Sequence, residues 1–182
     1  LGALADGRAI RVDVGLLDGE AFVNTASLGA YPEFVAFRER LEPRIGKLPA
    51  MAVGGVRALL RAEPSLLEID GSPVRVWLIF IGNCRYLPDG PAPSVRARLD
   101  DGLLDVRILV GEHPFARLRL LGAMLAGRAA GSPVLRAWTT EQLEVVSRDG
   151  PVRTARDGEV SPAAGAGFTV AKARAAVVLY AA

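Results

Sequence analysis

Leu99-Asp100-Asp101-Gly102-Leu103-Leu104-Asp105-Val106 is a turn that carries three carboxylates. It runs at once into an apolar strand, Val106-Arg107-Ile108-Leu109-Val110. Gly102 supplies a backbone geometry that other residues resist. Hard cations take oxygen ligands, and a carboxylate flanked by turn carbonyls offers them. An acidic turn is equally at home in solvent, and Asp-Gly is an ordinary turn dipeptide. Spacing alone leaves both readings open.

Working outward, the chain reads as strands punctuated by turns. Val74 to Ile81 is apolar on successive residues near its end, as a central strand covered on both faces should be. Ser65 to Ile69 precedes it, joined through Asp70-Gly71-Ser72-Pro73. Arg8 to Val14 alternates as a half-buried strand, Asp18-Gly19 makes a hairpin turn, and Ala21 to Ala26 returns. Helical spacing predicts helices over Tyr31 to Arg44, about Leu48 to Ala62, and Pro114 to Arg128. In the last of these Phe115, Leu118, Leu121, Met124 and Leu125 form the expected apolar face. Val134 to Trp138, Leu143 to Ser147 and Val152 to Ala155 follow as strands, the last two joined by Asp149-Gly150 as a hairpin. Phe168 to Val170 and Ala175 to Tyr180 close the chain. The expected fold class is mainly β with inserted helices (α+β), an antiparallel β-sandwich-like domain.

Composition narrows the function. The 182 residues are 51% hydrophobic and 23% charged, which suits one domain with a real core. A net charge of +2 gives no phosphate-tracking surface, so nucleic acid is not an expected partner. Cys84, the single cysteine, excludes an internal disulfide and a Cys-rich zinc site. His113 is the single histidine and reads as a structural residue at a helix entry. The longest strongly apolar run, Val76 to Ile81, is too short to span a bilayer. Leu1 opens a polar stretch without an initiating Met, which leads us to expect a fragment or processed product. Asp-Gly occurs seven times, so most of these pairs must be plain turns.

The ordered set Gly82-Asn83, Pro93, Ala97, Asp101-Gly102-Leu103-Leu104-Asp105-Val106 and Asp157-Gly158-Glu159 resembles the C-terminal domain of the diacylglycerol kinase and sphingosine kinase family of lipid kinases. Phe22 to Gly29 extends the resemblance towards the start, so it covers almost the whole chain. One departure is the proline-bearing stretch Leu87 to Pro93, where many relatives have a glycine-rich turn.

The resemblance implies that residues 1–182 are a single substrate-side domain. The N-terminal nucleotide-binding domain, with its Gly-Gly-Asp-Gly-Thr motif, is absent from this chain. The implied reaction transfers the γ-phosphate of ATP to a lipid hydroxyl, on a diacylglycerol-like lipid or long-chain base. By the resemblance Asp157 is the proton acceptor, and Glu159 assists a metal or orients Asp157. If the two lie on one strand, residues two apart face the same side and both carboxylates converge. A structural Mg²⁺ is implied at Asp101, with the backbone oxygens of Arg98 and Leu103; Asp100 and Asp105 are nearby alternatives. ATP is the cosubstrate, bound mainly by the missing domain, and the isolated chain is expected to be inactive. The implied location is cytoplasmic, peripheral to the membrane. On the helix after Pro114, Arg117, Arg119 and Arg128 read either as a contact for an anionic membrane surface or, more simply, as a solvated outer face. The competing reading is a non-catalytic lipid- or membrane-binding sandwich, which the Leu87 to Pro93 departure favours. An unrelated β-sandwich interaction module is the third. Neither the lipid nor the oligomeric state is written in these residues.

Overall fold

The computed structural model describes residues 8–29, 37, 40–46, 49–50, 53–54, 56–57, 63–89, 95–112, 115–126, 128–161 and 165–181. The strands are β1 (Arg8–Leu17), β2 (Glu20–Phe22), β3 (Thr25–Gly29), β4 (Ser65–Ile69), β5 (Ser72–Asn83), β6 (Tyr86–Leu87), β7 (Val95–Arg96) and β8 (Leu104–Val110). Helix α1 (Ala116–Leu125) and a 3-10 turn at Ala129–Gly131 come next. Then follow β9 (Leu135–Thr140), β10 (Gln142–Ser147), β11 (Thr154–Arg156), β12 (Glu159–Ser161) and β13 (Gly167–Ala181). All the pairings are antiparallel.

Two long strands organise the sheet. The first half of β5 pairs with β4, and its second half with both β3 and β8. This is the central position that its unbroken apolar run predicts. Strand β13 pairs first with β10 and then, for most of its length, with β1. Sharing two long strands among several partners makes the sheet curl on itself. One core results, with Phe22, Leu28, Leu67, Ile79, Ile81, Leu104, Leu143 and Val145 among its fully buried side chains. A smaller cluster of Trp77, Ala116, Leu120 and Val134 lies beneath α1.

Several expectations need correction. The return strand predicted over Ala21 to Ala26 is broken by a bend at Val23 and Asn24, giving β2 and β3. Asp149-Gly150 does not close a hairpin: β10 pairs with β4 and β13, whereas β11 pairs with β3 and β12. The side-chain carboxylate of Asp149 instead accepts from the Leu66 amide at 2.6 Å, and Arg148 N–H donates to the Leu66 carbonyl. Phe168 to Val170 and Ala175 to Tyr180 belong to the one strand β13, kinked where Ala175 adopts φ +49°. Helix α1 turns Ala116 and Leu120 inward, while Phe115 and Leu118, expected on the buried face, are exposed. Of the two helices predicted before Ala62, residues 37, 40–45, 49–50, 53–54 and 56–57 are helical, and the remainder lies outside the described residues. His113 and residues 90–93 of the proline-bearing stretch also lie outside them. Among the described residues no helix is long and apolar enough to cross a membrane.

Candidate functional site

The site grows from an irregularity in the pairing of β1 with β13. Register shifts between Val12 and Val14, where β13 bulges and Asp13 alone faces Arg174 to Ala176. The Asp13 side chain is 4% exposed, and a buried carboxylate must find donors. Asp13 Oδ2 accepts from the Gly102 amide at 2.8 Å, and Oδ1 from the Ala175 amide at 2.7 Å. The Asp13 amide donates to the Leu99 carbonyl at 2.8 Å. The acidic turn is thereby tied to β1 at both ends. Gly102 suits that place because it sits at φ +74°, a backbone conformation that side-chain-bearing residues rarely adopt.

Asp101 caps its own turn. Its Oδ2 accepts from the Arg85 amide at 2.7 Å and its Oδ1 from the Leu103 amide at 2.9 Å. Burial pushes this carboxyl up, but those two amides, helped by Cys84 and Lys172, outweigh it and hold Asp101 below the ordinary carboxylate range. The Leu103 carbonyl accepts from the Cys84 amide at 3.0 Å. Arg98 directs its guanidinium at Asp100, 3.1 Å away on the surface.

Behind the turn lies a polar knot. Asn83 is buried, and its Nδ2 donates to the carbonyls of Asp13 and Val23, each at 2.8 Å. Lys172 Nζ donates to Asn83 Oδ1 at 2.5 Å and to Cys84 Sγ at 3.1 Å, and lies 3.9 Å from Asp13 Oδ2. Burial pushes the Cys84 thiol up, although Lys172 pulls the other way. Asp105 is held apart from this knot by Arg107 at 2.7 Å, both side chains 4% exposed, so it is no alternative ligand beside Asp101.

Asp157 occupies the neighbouring turn. Its Oδ2 accepts from the Val23 amide at 2.7 Å, and its Oδ1 from the amides of Asn24 at 2.7 Å and Thr25 at 2.9 Å. These three bonds hold the bend that splits β2 from β3. Asp157 and Gly158 take φ +47° and +93°, the left-handed pair of a tight hairpin turn between β11 and β12. The two carboxylates are therefore not on one strand, and the expectation that alternation aims Asp157 and Glu159 at one point fails. Glu159 opens β12 and is exposed.

The acidic turn and the Asp157 turn meet through shared partners. The Val23 carbonyl accepts from Asn83 Nδ2 and from Arg96 at 2.7 Å, while the Val23 amide serves Asp157. Arg96 also reaches Asn24 Oδ1 at 2.9 Å and lies 5.4 Å from the Tyr86 ring centre. Tyr86 Oη donates to the Asn24 carbonyl at 3.2 Å, and burial raises its phenol. The sequence reading missed Asp13, Lys172 and Arg96. Two signals were present: Asp13 interrupts the apolar pair Val12 and Val14, and Lys172 is one of only two lysines among the 22 basic residues.

Two cation sets can be tested against this geometry. Asp13, Cys84 and Asp101 place ligand atoms within 4.8 Å of one another. That set does not suit Mg²⁺, because it includes a thiol and Lys172 already supplies a positive charge. The set that the resemblance implies, the Asp101 carboxylate with the Arg98 and Leu103 carbonyls, offers oxygen alone, with a carboxyl held below the ordinary range. Each oxygen engaged by an amide keeps a second lone pair. The donor chemistry therefore fits a hard divalent ion.

Comparison with known proteins places the chain. The sequence model of the YegS C-terminal NAD kinase beta sandwich-like domain matches residues 35–179. "Probable lipid kinase YegS-like" of Pseudomonas aeruginosa (strain UCBPP-PA14) is 29% identical over 136 residues, which are 69% of this chain and 42% of that protein. A structure named "putative diacylglycerol kinase", from Bacillus anthracis str. Sterne, superimposes with TM-score 0.66 at 16% identity, covering 97% of this chain and 59% of that one. A further diacylglycerol kinase structure from the same strain gives TM-score 0.57 at 14% identity, with 97% and 55% covered. The chain thus spans about half the length of the relatives it matches, and the two structural likenesses bear on the fold alone.

Proposed function

This chain belongs to the YegS C-terminal NAD kinase beta sandwich-like domain family, and on that premise we propose that it forms the lipid side of an ATP-dependent lipid kinase. The reaction passes the γ-phosphate of ATP to a lipid hydroxyl, on a diacylglycerol-like lipid or long-chain base, at the cytoplasmic face where ATP is available. The observation that carries this reading is the joining of the two acidic turns through Val23, Asn83 and Arg96. Phosphoryl transfer needs positioned charge more than covalent chemistry, and this end of the sheet concentrates fixed carboxylates beside an exposed one. The relatives' names are the other support. A nucleotide-binding domain supplied elsewhere in the protein completes the enzyme, so the isolated domain is inactive.

The Asp157 turn carries the proton acceptor. Asp157 fills the role if a lipid hydroxyl reaches a remaining lone pair on its carboxylate. A second reading is favoured by its three amide bonds: Asp157 clamps the Val23 to Thr25 bend, and the exposed Glu159 takes the proton. Mg²⁺ is held by Asp101 with the carbonyls of Arg98 and Leu103. When bound, it supplies charge neutralisation next to the phosphates or fixes the turn.

The test is phosphorylation of a panel of lipid alcohols by full-length protein with radiolabelled ATP. Wild type is compared with Asp157→Asn and Glu159→Gln, and folding is checked by circular dichroism. Loss in a folded Asp157→Asn alone assigns the base to Asp157, and loss in Glu159→Gln alone assigns it to Glu159. Equal activity in all three overturns the catalytic reading of this turn. No labelled lipid from wild type moves the binding-module reading ahead. For the ion, Mg²⁺ raises the thermal midpoint of wild type and leaves that of Asp101→Asn unmoved.

A further inference from the structure

The bend at Val23 and Asn24 leaves one polar group unspent. Asp157 takes the amides of Val23, Asn24 and Thr25. Tyr86 Oη donates to the Asn24 carbonyl, and Arg96 Nη1 to the Val23 carbonyl. Arg96 Nη2 donates to Asn24 Oδ1 at 2.9 Å. A guanidinium only donates, so this contact fixes which end of the Asn24 amide faces Arg96. The other end, Nδ2, has no hydrogen-bond partner among the described residues. Asn24 is exposed, and the apolar side chain of its neighbour Val23 is 46% exposed. An exposed asparagine ordinarily turns with the solvent. This one is tethered at its backbone amide, its carbonyl and its side-chain oxygen, so its two free N–H donors are held ready in a residue that Asp157 grips.

We propose that Asn24, positioned by Arg96, binds an ester carbonyl of the acceptor lipid. The inference deepens the kinase reading and rests on it. In a diacylglycerol-like acceptor the free hydroxyl and an ester stand on adjacent carbons. A hydroxyl delivered to the Asp157 turn therefore brings a carbonyl oxygen to the neighbouring bend. That oxygen accepts what Nδ2 donates, and the Val23 side chain meets the lipid's carbons. A long-chain base carries an ammonium on the corresponding carbon. It would set N–H against N–H and place a second cation near the Arg96 guanidinium. The surrounding carboxylates do not offset this. Asp157 already accepts from three amides, whichever of Asp157 and Glu159 takes the proton is committed to the hydroxyl, and Glu20 pairs with Arg156 at 3.4 Å. Donor placement thus selects acyl esters over long-chain bases.

Phosphorylation by full-length protein with radiolabelled ATP tests this on three micellar acceptors: dioleoylglycerol, its dioleyl ether analogue, which lacks the carbonyls, and sphingosine. Wild type is expected to show a kcat/KM about tenfold higher on the ester than on the ether, mostly through KM, as one hydrogen bond to a preset donor supplies. Asn24→Asp is isosteric and keeps an oxygen for Arg96, so the bend stays held while the donor is lost. It should bring the ester down to the ether and raise sphingosine about fivefold relative to the ether, through the new carboxylate. Arg96→Met frees the Asn24 side chain and should lower the ester-to-ether ratio about threefold. A ratio between two substrates of one variant is blind to a general loss of folded enzyme. An active wild type that treats ester and ether alike overturns this inference alone, and so does an active Asn24→Asp that keeps the ester preference. A wild type that labels none of the three acceptors overturns the kinase reading and this inference with it.

Discussion

Removing the carboxylate of Asp13 should cost more stability than any change at the exposed acidic turns. Asp13→Ala leaves the Gly102 and Ala175 amides without their acceptor in a buried place. Each unsatisfied buried donor costs about 1–3 kcal/mol. It also strips the nearest negative charge from Lys172 Nζ, a side chain only 1% exposed. Breaking a buried charge pair from one side costs about 3–5 kcal/mol. These losses share one side chain and do not add, so the expected total is about 4 kcal/mol. With a urea slope of about 2 kcal/mol/M, the midpoint falls by about 2 M. Asp13→Asn keeps the shape and one acceptor and should lose roughly half as much. Adding Lys172→Met to Asp13→Asn removes the orphaned cation and should recover about 1 kcal/mol or more in a double-mutant cycle. Urea unfolding followed by circular dichroism reads all of this, and hydrogen exchange at Gly102 and Ala175 reads the two amides directly. A drop below about 1 kcal/mol for Asp13→Ala, with both amides still protected, refutes the reasoning.

Two further outcomes follow from the same geometry. Asp101 is held below the ordinary carboxylate range in the folded state, so its contribution to stability is present above the unfolded value near 4 and fades as pH falls through the folded one. The urea midpoints of wild type and Asp101→Asn should therefore differ at neutral pH and converge in acid, and a gap independent of pH contradicts the assignment. Gly15→Ala would put a Cβ 2.1 Å from Cζ of the fully buried Phe22, and should lower stability by about 1–3 kcal/mol through overpacking. Pairing it with Phe22→Leu should recover part of the loss in thermal unfolding; no recovery means the ring is not the obstacle.

Where one residue pattern allowed one arrangement, the sequence was legible. The apolar run of β5 demanded cover on both faces, and it became the strand with three partners. The hairpin at Asp18-Gly19 followed from local turn chemistry. Pairing between distant strands was not legible. Asp149-Gly150 looks like the hairpin dipeptides elsewhere in the chain, but β4 and β13 compete for β10 and win. The register of α1 was misjudged because the helix is apolar on more than one side, so periodicity did not choose its buried face. Asp101 and Asp157 became candidates through ordered motifs. Asp13 and Lys172 did not, because they stand 159 positions apart and only the pairing of β1 with the bulged β13 brings them together.

The pairing of β1 with β13 has a mechanical consequence. Arg8 lies opposite Ala181, so the two ends of the described chain leave from the same rung of the ladder. Tension on those ends would peel the ribbon one rung at a time, loading a few hydrogen bonds of about 1 kcal/mol each and never the sheet as a whole. The peeling front meets its first real resistance at Asp13, where the amides of Gly102 and Ala175 and the ammonium of Lys172 grip one carboxylate. The ribbon from Arg8 to Val12 thus acts as a compliant tether, and the knot at Asp13 is the clamp that stops motion in it from reaching the acidic turns.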